Sequence, residues 1–329
     1  MTNHSSSATP ILPNTQNEIS IVIPLLNEAE SLRPLMDQIQ LVMATYGRTY
    51  EVIFIDDGST DNSMQVLEEL HKTHSEVIII QFRRNFAKAA AYSAGFQRST
   101  GKVVITMDAD LQDDPAEIPN LVAKLNEGYD LVSGWKKKRH DPLGKTIPSR
   151  FFNWITRRVS GIDIHDFNCG LKAYRREVVN NVKIYGELHR YIPVLAHLEG
   201  YRIGEIPVHH RPRKFGVTKY GWGRLFKGFL DLLTVMYLAK YLGRPLHLFG
   251  TVGAILCLMG TGINGYIGSL WLRTGTIQNR HPILNLGILL TVLGVQFICT
   301  GLLADMIARS SRPNEKYNIW RTLEKDGER

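Results

Sequence analysis

Two periods of apolar residues alternate along this chain, and the switching between them lays out an α/β domain. Short β-branched runs at Ile19 to Pro24, Tyr50 to Asp56, Val77 to Phe82, Val103 to Met107 and Asp130 to Ser133 read as buried strands. Between them the spacing is helical. Over Asn27 to Tyr46, the residues Leu32, Leu35, Met36, Ile39, Val42 and Met43 fall on one face. Asp61 to Lys72, the Ala-rich Ala87 to Arg98, and Pro119 to Asn126 follow as further helices. Strands alternating with helices predict a doubly wound, mostly parallel sheet.

From Ser149 the pattern changes. Phe151, Phe152, Trp154 and Ile155 sit beside Arg150, Arg157 and Arg158, and Leu225, Phe226, Phe229, Leu232, Leu233 and Met236 recur at helical spacing beside Arg224, Lys227 and Lys240. Basic, aromatic amphipathic helices of this kind lie in a membrane interface or else face a protein core. Pro245 to Leu272 then carries no Asp, Glu, Lys or Arg. It makes about 40 Å of helix, enough for a ~30 Å hydrocarbon core with tilt. Pro282 to Ala304 is a second uncharged run. Arg273, Arg280 and His281 lie between the two, while Lys227, Lys240 and Arg244 precede them and Arg309, Arg312, Lys316 and Arg321 follow. The positive-inside bias places the α/β domain and both termini in the cytoplasm. Gly260, Gly262, Gly265 and Gly268 form a small-residue face, for packing either on the second span or on another copy in a homo-oligomer.

The expected organisation is a disordered tail over 1–17, a cytoplasmic domain over 18–220, an amphipathic juxtamembrane helix over 221–244, a two-helix transmembrane domain over 245–309 and a cytoplasmic tail over 310–329. At 329 residues the chain exceeds one average domain, and its net charge of +8 calls for an anionic partner. Nucleic acid is disfavoured, since neither zinc-finger spacing nor a basic recognition helix occurs, which leaves membrane lipids or a phosphorylated substrate. Three scattered cysteines, Cys169, Cys257 and Cys299, make no disulfide framework and fit a reducing compartment.

Four segments carry candidate chemistry, each where a predicted strand or its loop ends. Asp108, Asp110 and Gln112 follow the run Val103 to Met107 and offer hard oxygen ligands, which suit Mg²⁺ or Mn²⁺ rather than zinc. Open α/β sheets bind ligands at that edge. Pro24 to Glu28, and Asp56-Asp57-Gly58-Ser59-Thr60-Asp61, place acids where ribose hydroxyls or base N–H groups can donate to them. Ser59 and Asp61 serve equally well as helix caps. Arg84-Asn85-Phe86-Ala87-Lys88 brings cations to the end of the third strand. No dinucleotide fingerprint or Walker lysine loop occurs. The basic run Lys136 to Arg139 reads as a solvated loop or, through Arg139, as a phosphate grip.

With these motifs in this order, the chain resembles glycosyltransferase family two, and within it the polyisoprenyl-phosphate glycosyltransferases. The resemblance rests on Ile21-Val22-Ile23-Pro24 with Asn27-Glu28, Ile55-Asp56-Asp57-Gly58-Ser59, Arg84-Asn85-Phe86 with Lys88, Met107 to Pro115, Asp166-Phe167-Asn168-Cys169-Gly170, and Arg213-Lys214-Phe215-Gly216-Val217-Thr218-Lys219-Tyr220. It implies a GT-A fold followed by interface helices and two transmembrane helices. It also implies metal-dependent, inverting transfer of one sugar from a UDP-glucose-like or GDP-mannose-like donor to undecaprenyl or dolichyl phosphate. By that resemblance Asp108, Asp110 and Gln112 bind Mg²⁺ or Mn²⁺. Pro24, Glu28 and Asp57 hold the nucleotide, with Asn27 and Asp56 beside them. Lys88, Arg139, Arg211, Arg213 and Lys219 are the cations on the substrate side, and Asp110 and Asp166 are the catalytic carboxylates.

Asp166 has two readings. A phosphate monoester is largely dianionic near pH 7, its second pKa being about 6, so it needs little help from a base. Asp166 acts either as general base or as an orienter of the sugar. The competing functions are a processive polysaccharide synthase, disfavoured by only two spans and no Gln-x-x-Arg-Trp signature, and a non-catalytic sugar-nucleotide-binding scaffold, disfavoured by the intact Asp108 and Asp110.

Overall fold

The computed structural model describes residues 17–137, 153–158, 160–182, 184, 188–211, 245–277 and 279–310. The chain forms two compact units, Met1–Leu232 and Leu233–Arg329.

The first unit is built on a seven-stranded sheet in the order β3-β2-β1-β4-β6-β5-β7. Its strands are β1 Ile19–Leu25, β2 Tyr50–Asp56, β3 Val77–Gln81, β4 Val103–Thr106, β5 Leu131–Trp135, β6 Lys172–Arg175 and β7 Ile203–Pro207. Pairing is parallel throughout β3-β2-β1-β4 and between β5 and β7. β6 runs antiparallel to both its neighbours. The sheet is therefore mostly parallel, as the alternating pattern predicts, with one reversed strand that the pattern does not show. Helices α1 Ala29–Tyr46, α2 Ser63–Thr73, α3 Lys88–Arg98 and α4 Ile118–Asn126 follow β1 to β4.

Side chains of successive residues point to opposite faces of a strand, and both faces here are buried. Ile21, Ile23 and Phe54 join Leu32, Leu35, Met36 and Ile39 of α1 on one side. Val22, Ile53, Ile55 and Val104 join Ala91, Tyr92 and Phe96 of α3 on the other. Double burial explains why these strands read as unbroken apolar runs. α1 also shows how packing overrides propensity. Pro34 lies inside it and removes one backbone donor. The helix continues because its buried face contributes about 1.5–3 kcal/mol for each large apolar side chain.

The loops after β1, β3 and β4 each contain a non-glycine residue with positive φ: Asn27 at 59°, Ala87 at 70° and Leu111 at 61°. Each costs about 1–3 kcal/mol and persists only where its surroundings over-determine it. All three follow strand ends on one edge of the sheet, the edge that also carries Asp56 and Asp108.

The second unit contains two 30-residue helices, Pro245–Thr274 and His281–Ser310. Both are long and apolar enough to cross a membrane. They pair antiparallel through glycines. A Cβ on Gly253 would stand 2.6 Å from the Gly294 carbonyl oxygen, and one on Gly260 would stand 2.4 Å from Thr291 Oγ1. Of the small-residue face, Gly260 therefore packs within the chain. Gly262, Gly265 and Gly268 have open space where a Cβ would lie. Leu258, Leu272, Leu289, Val292 and Ile307 are exposed, as side chains facing lipid would be.

Candidate active site

The loops after β1 and β2 are tied together by Asn27 and Ser59. Asn27 N–H donates to Ser59 Oγ at 2.9 Å, and Asn27 Oδ1 accepts from Thr60 N–H at 2.8 Å. Positive φ suits Asn, whose short polar side chain bonds locally. Asn27 was expected on the substrate side, and the structure occupies its side chain in bracing the second loop. Asp56, the last residue of β2, is buried. Its Oδ1 accepts from Ser59 N–H at 2.9 Å, and its Oδ2 has no hydrogen-bond partner among the described residues. A buried acceptor without a donor is costly, and here it lies at the strand end. Asp57 Oδ1 accepts from Phe86 N–H at 2.7 Å, joining the β2 and β3 loops. Burial raises the Asp57 pKa and Asp56 adds to it, against hydrogen bonds from Phe86 and Ala87. Gly58 permits this junction. Its φ is +77°, and a Cβ there would meet the Arg84 backbone at 2.8 Å. Of the other residues expected here, Pro24 pairs with Ile55 within the sheet and Glu28 immediately precedes α1.

The β4 loop carries the densest charge. Asp108 N–H donates to Asp113 Oδ2 at 3.1 Å, and Gln112 N–H donates to Asp110 Oδ1 at 3.2 Å, so this loop is folded on its own carboxylates. Lys88, the first residue of α3, is ion-paired with Asp108. Lys136 approaches Asp113 Oδ1 at 3.5 Å. Burial raises the Asp108 pKa, but Lys88, Lys136 and Lys172 outweigh it and hold the carboxyl well below its usual range. Burial would lower Lys136, yet the negative groups around it, Asp113 first, raise it. In Lys172 burial wins and the pKa falls. Asp108 and Lys136 thus stay charged because opposite charges stand beside each, Lys88 and Lys136 at Asp108, and Asp113 and Asp108 at Lys136. The alternative, an unpaired buried charge, costs several kcal/mol.

Asp166 and Gly170 sit on the loop between the helical turn 153–158 and β6. Asp166 is buried, and its Oδ1 accepts from Asn168 N–H at 3.0 Å. Gly170 lies against Asp108, where a Cβ would be 2.6 Å from the carboxylate. The motif Asp166 to Gly170 is therefore brought onto the β4 loop across more than fifty residues of sequence.

Arg211 has a different surrounding from the one expected. Its guanidinium donates to Gln38 Oε1 at 2.6 Å and to Asp114 Oδ2 at 2.7 Å, and its N–H donates to the Gln112 carbonyl at 2.9 Å. It clamps the end of the β4 loop to α1. Arg139, Arg213 and Lys219 lie outside the described residues, as does the amphipathic segment 221–244. In the helical turn 153–158, Asn153 and Thr156 are buried and Trp154, Arg157 and Arg158 are exposed.

Four participants were not singled out from sequence. Lys136 belongs to the run read as a solvated loop, yet it is mostly buried. Lys172 is a buried lysine in a short strand. Gly170 was quoted within a motif without a role. His189 lies near Lys88, Lys172 and Asp108, and burial followed by Lys88, Arg190 and Lys172 lowers its pKa to about 3.

The donor chemistry of the residues present fits a divalent ion. Asp108 and Asp110 are hard donors at a strand end, and an ammonium stands as the cation on Asp108. Among the described residues, no group of three or more His, Cys, Asp or Glu is arranged to hold a metal by itself. The remaining positions would fall to Gln112, water and substrate phosphate, the partial protein coordination that Mg²⁺ favours.

Comparison with known proteins agrees with this architecture. Residues 20–183 match the family model for glycosyl transferase family 2. The dodecaprenyl-phosphate galacturonate synthase of Rhizobium johnstonii is 39% identical over 298 residues, which is 89% of this chain and 88% of that protein. Among solved structures, a mannosyltransferase from Pyrobaculum calidifontis in complex with GDP-Man and Mn²⁺ superposes with a TM-score of 0.50 at 19% identity, over 91% of this chain and 77% of the other. Glucosyl-3-phosphoglycerate synthase from Mycobacterium tuberculosis, in complex with Mn²⁺, UDP and glucosyl-3-phosphoglycerate, gives 0.52 at 19% identity, over 68% and 80%. These two likenesses are of fold. With the sheet order, the acidic loop after β4 and a relative similar along nearly its whole length, the chain belongs to glycosyl transferase family 2 and is a glycosyltransferase.

Proposed function

We propose that this enzyme transfers a single sugar from a nucleotide-sugar donor to a polyprenyl phosphate at the cytoplasmic face of a membrane, with inversion at the anomeric carbon. The observation that carries the reading is the gathering of Asp108 and Asp110, Asp56 and Asp57, and Lys88 on one edge of the sheet, in a chain that also carries two membrane-length apolar helices. The relative from Rhizobium johnstonii, named for a dodecaprenyl-phosphate product, supports a lipid phosphate acceptor. Its name also adds a uronate to the sugars worth testing beside glucose and mannose.

The roles follow from chemistry. Asp56 Oδ2 and the Asp57 carboxylate accept hydrogen bonds from the nucleoside, with Pro24 and Glu28 beside them. Asp108, Asp110 and Gln112 hold Mg²⁺ or Mn²⁺, which when bound neutralises charge developing on the departing diphosphate. Lys88 supplies fixed positive charge on the same side, where a preorganised cation is worth most. One oxygen of the acceptor phosphate forms the new bond to the anomeric carbon as the bond to the diphosphate breaks. Asp166 takes the residual acceptor proton or orients the sugar. Arg139, Arg213 and Lys219 meet the phosphates of donor or acceptor. The two apolar helices anchor the enzyme where its lipid acceptor dissolves, and both termini face the cytoplasm.

The test is purified enzyme in detergent micelles with undecaprenyl phosphate and a panel of radiolabelled nucleotide sugars, with and without chelator. A lipid-linked monosaccharide formed from one donor, and lost on chelation, is the expected result. Products of increasing length, or donor binding without turnover, would overturn it.

A further inference from the structure

Four strands share two adjacent rows of register partners, and the rows differ in kind. The first row is Val104, Tyr174, Leu131 and Ile203, across β4, β6, β5 and β7. It is apolar and packs on the α3 side of the sheet. Two residues along each strand, on the same face, the row becomes Thr106, Lys172, Ser133 and Glu205. All four of these bond to one short stretch of main chain. Thr106 Oγ1 donates to the Gly170 carbonyl at 2.8 Å. Lys172 Nζ donates to the Cys169 carbonyl. Ser133 Oγ donates to the Asp166 carbonyl at 3.3 Å. Glu205 Oε1 accepts from the N–H groups of His165 and Asp166 at 2.8 and 2.9 Å, and its Oε2 pairs with His165 Nδ1 at 2.8 Å. The His165 ring in turn stacks on Trp135 at 4.3 Å.

Packing alone does not require this row. Valine or isoleucine in its place would continue the apolar face and avoid burying a lysine and a carboxylate, which is costly. What the row achieves is positional. It fixes the loop at Asp166 through both N–H and carbonyl, and again at Cys169 and Gly170. The side chain of Asp166 and the close approach of Gly170 to Asp108 then follow from the sheet register.

We propose that Thr106, Lys172, Ser133 and Glu205 are positioning residues for sugar transfer, acting through the 165–170 loop, with Glu205 the member that sets Asp166. The proposal rests on the reading of Asp166 as base or orienter. Glu205 touches neither donor nor acceptor. Its removal should therefore lower kcat and leave the KM values for both substrates unchanged, with a misplaced Asp166 costing on the order of 10²-fold. Glu205→Gln keeps an oxygen that accepts both N–H groups, so it should restore turnover that Glu205→Ala loses.

The experiment measures kcat and both KM values for Glu205→Ala, Glu205→Gln, Asp166→Ala and the Asp166→Ala/Glu205→Ala double variant, in the full chain. Melting temperatures confirm folding. Thr106→Val, which drops the bond to Gly170, repeats the test should Glu205→Ala fail to fold. The expected pattern is a kcat loss in Glu205→Ala, rescue in Glu205→Gln, and a double variant no slower than Asp166→Ala. Wild-type turnover of Asp166→Ala would overturn the role given to Asp166. A slow Asp166→Ala together with a double variant slower by the product of the two losses would overturn the positioning role of Glu205.

Discussion

Gly170 lies so close to Asp108 that a Cβ added to it would stand 2.6 Å from the Asp108 Cγ and 2.6 Å from Oδ1. The group in the way is a side chain, so Gly170→Ala would move the Asp108 carboxylate. That carboxylate is ion-paired to Lys88 and has little freedom to swing away. We expect Gly170→Ala to fold normally and to lose transfer activity by roughly 10- to 100-fold, as for a catalytic group displaced by about 1 Å. Turnover and melting temperature, measured on one preparation, check this. Wild-type turnover would show that Asp108 has room to yield.

Asp110→Ala should abolish transfer while leaving the protein folded and membrane-inserted. Asp110 lies in the loop after a buried strand, beside Asp108 and Gln112, and its Oδ1 bond to Gln112 N–H is local. Losing that bond costs the fold about 0.5–1.5 kcal/mol, whereas losing a metal ligand weakens metal and diphosphate binding together. Calorimetric titration of Mn²⁺ into the protein with nucleoside diphosphate present should show strongly weakened metal binding in the variant. A wild-type Mn²⁺ titration for the variant would remove Asp110 from the ligand set.

The sequence shows much of this site because its strands are doubly buried. Runs such as Ile19 to Pro24 and Val103 to Met107 have no polar face to confuse their period, and the acids that end them stand out. β6 and β7 stay hidden for the opposite reason. Lys172-Ala-Tyr-Arg carries charge, and Ile-Gly-Glu-Ile-Pro carries both Gly and Pro, so neither has the composition of a strand. Lys172 and Glu205 bond the 165–170 loop, and Arg175 bonds the carbonyls of Tyr129 and Leu125, requirements set by distant chain. Arg211 illustrates the same limit. Its partners Gln38 and Asp114 are 173 and 97 residues away, contacts that a basic neighbourhood in the sequence does not reveal. Lys136 fails in the other direction, since a run of lysines reads as solvated until Asp113 is placed beside one of them.

His189 should make the protein acid-sensitive in a defined window. Burial, followed by Lys88, Arg190 and Lys172, lowers its pKa from 6.5 to about 3. Below about pH 6.5 the unfolded chain takes up a proton here that the folded chain refuses. Stability from this group is therefore complete above about pH 6.5 and is lost as pH falls toward about 3, by up to about 1.4 kcal/mol per pH unit. His189→Gln removes the titration. Melting temperatures at about pH 7.5 and about pH 5 should fall less in the variant than in the parent. Equal falls would place the acid sensitivity elsewhere.

The turn between the apolar helices should face away from the cytoplasm. Its charges are few, Arg273 and Arg280, whereas Lys and Arg accumulate on the outer flanks of both helices. With Cys257 and Cys299 replaced, and Cys169 buried, a cysteine placed at Asn279 should react with a membrane-impermeant maleimide in intact cells. One placed at Asn318 should react only after permeabilisation. The reverse pattern would invert the topology and put the acidic loop on the wrong side for a nucleotide-sugar donor.

Arg213 and Lys219 carry the last prediction. With Arg211 committed to Asp114 and Gln38, the cations left in this stretch to meet reacting phosphates are Arg213, Lys214 and Lys219, with Gly216 among them. Two physical roles are available to such a basic segment next to a membrane domain. As a surface patch it attracts anionic lipid with ~1 kcal/mol per charge, and one lost charge changes little because the apolar helices already hold the chain. As a phosphate grip it makes charge-assisted hydrogen bonds to groups that react, and one lost charge lowers turnover directly. Lys219→Ala and Arg213→Ala should each lower kcat/KM by about tenfold or more, the loss of one hydrogen bond to a charged group at ~1.5–3 kcal/mol. Membrane extraction should be unchanged. Measuring each variant at limiting donor and then at limiting acceptor identifies which phosphate is held. Near-wild-type kinetics for both variants under both conditions would leave this segment as a lipid-facing patch.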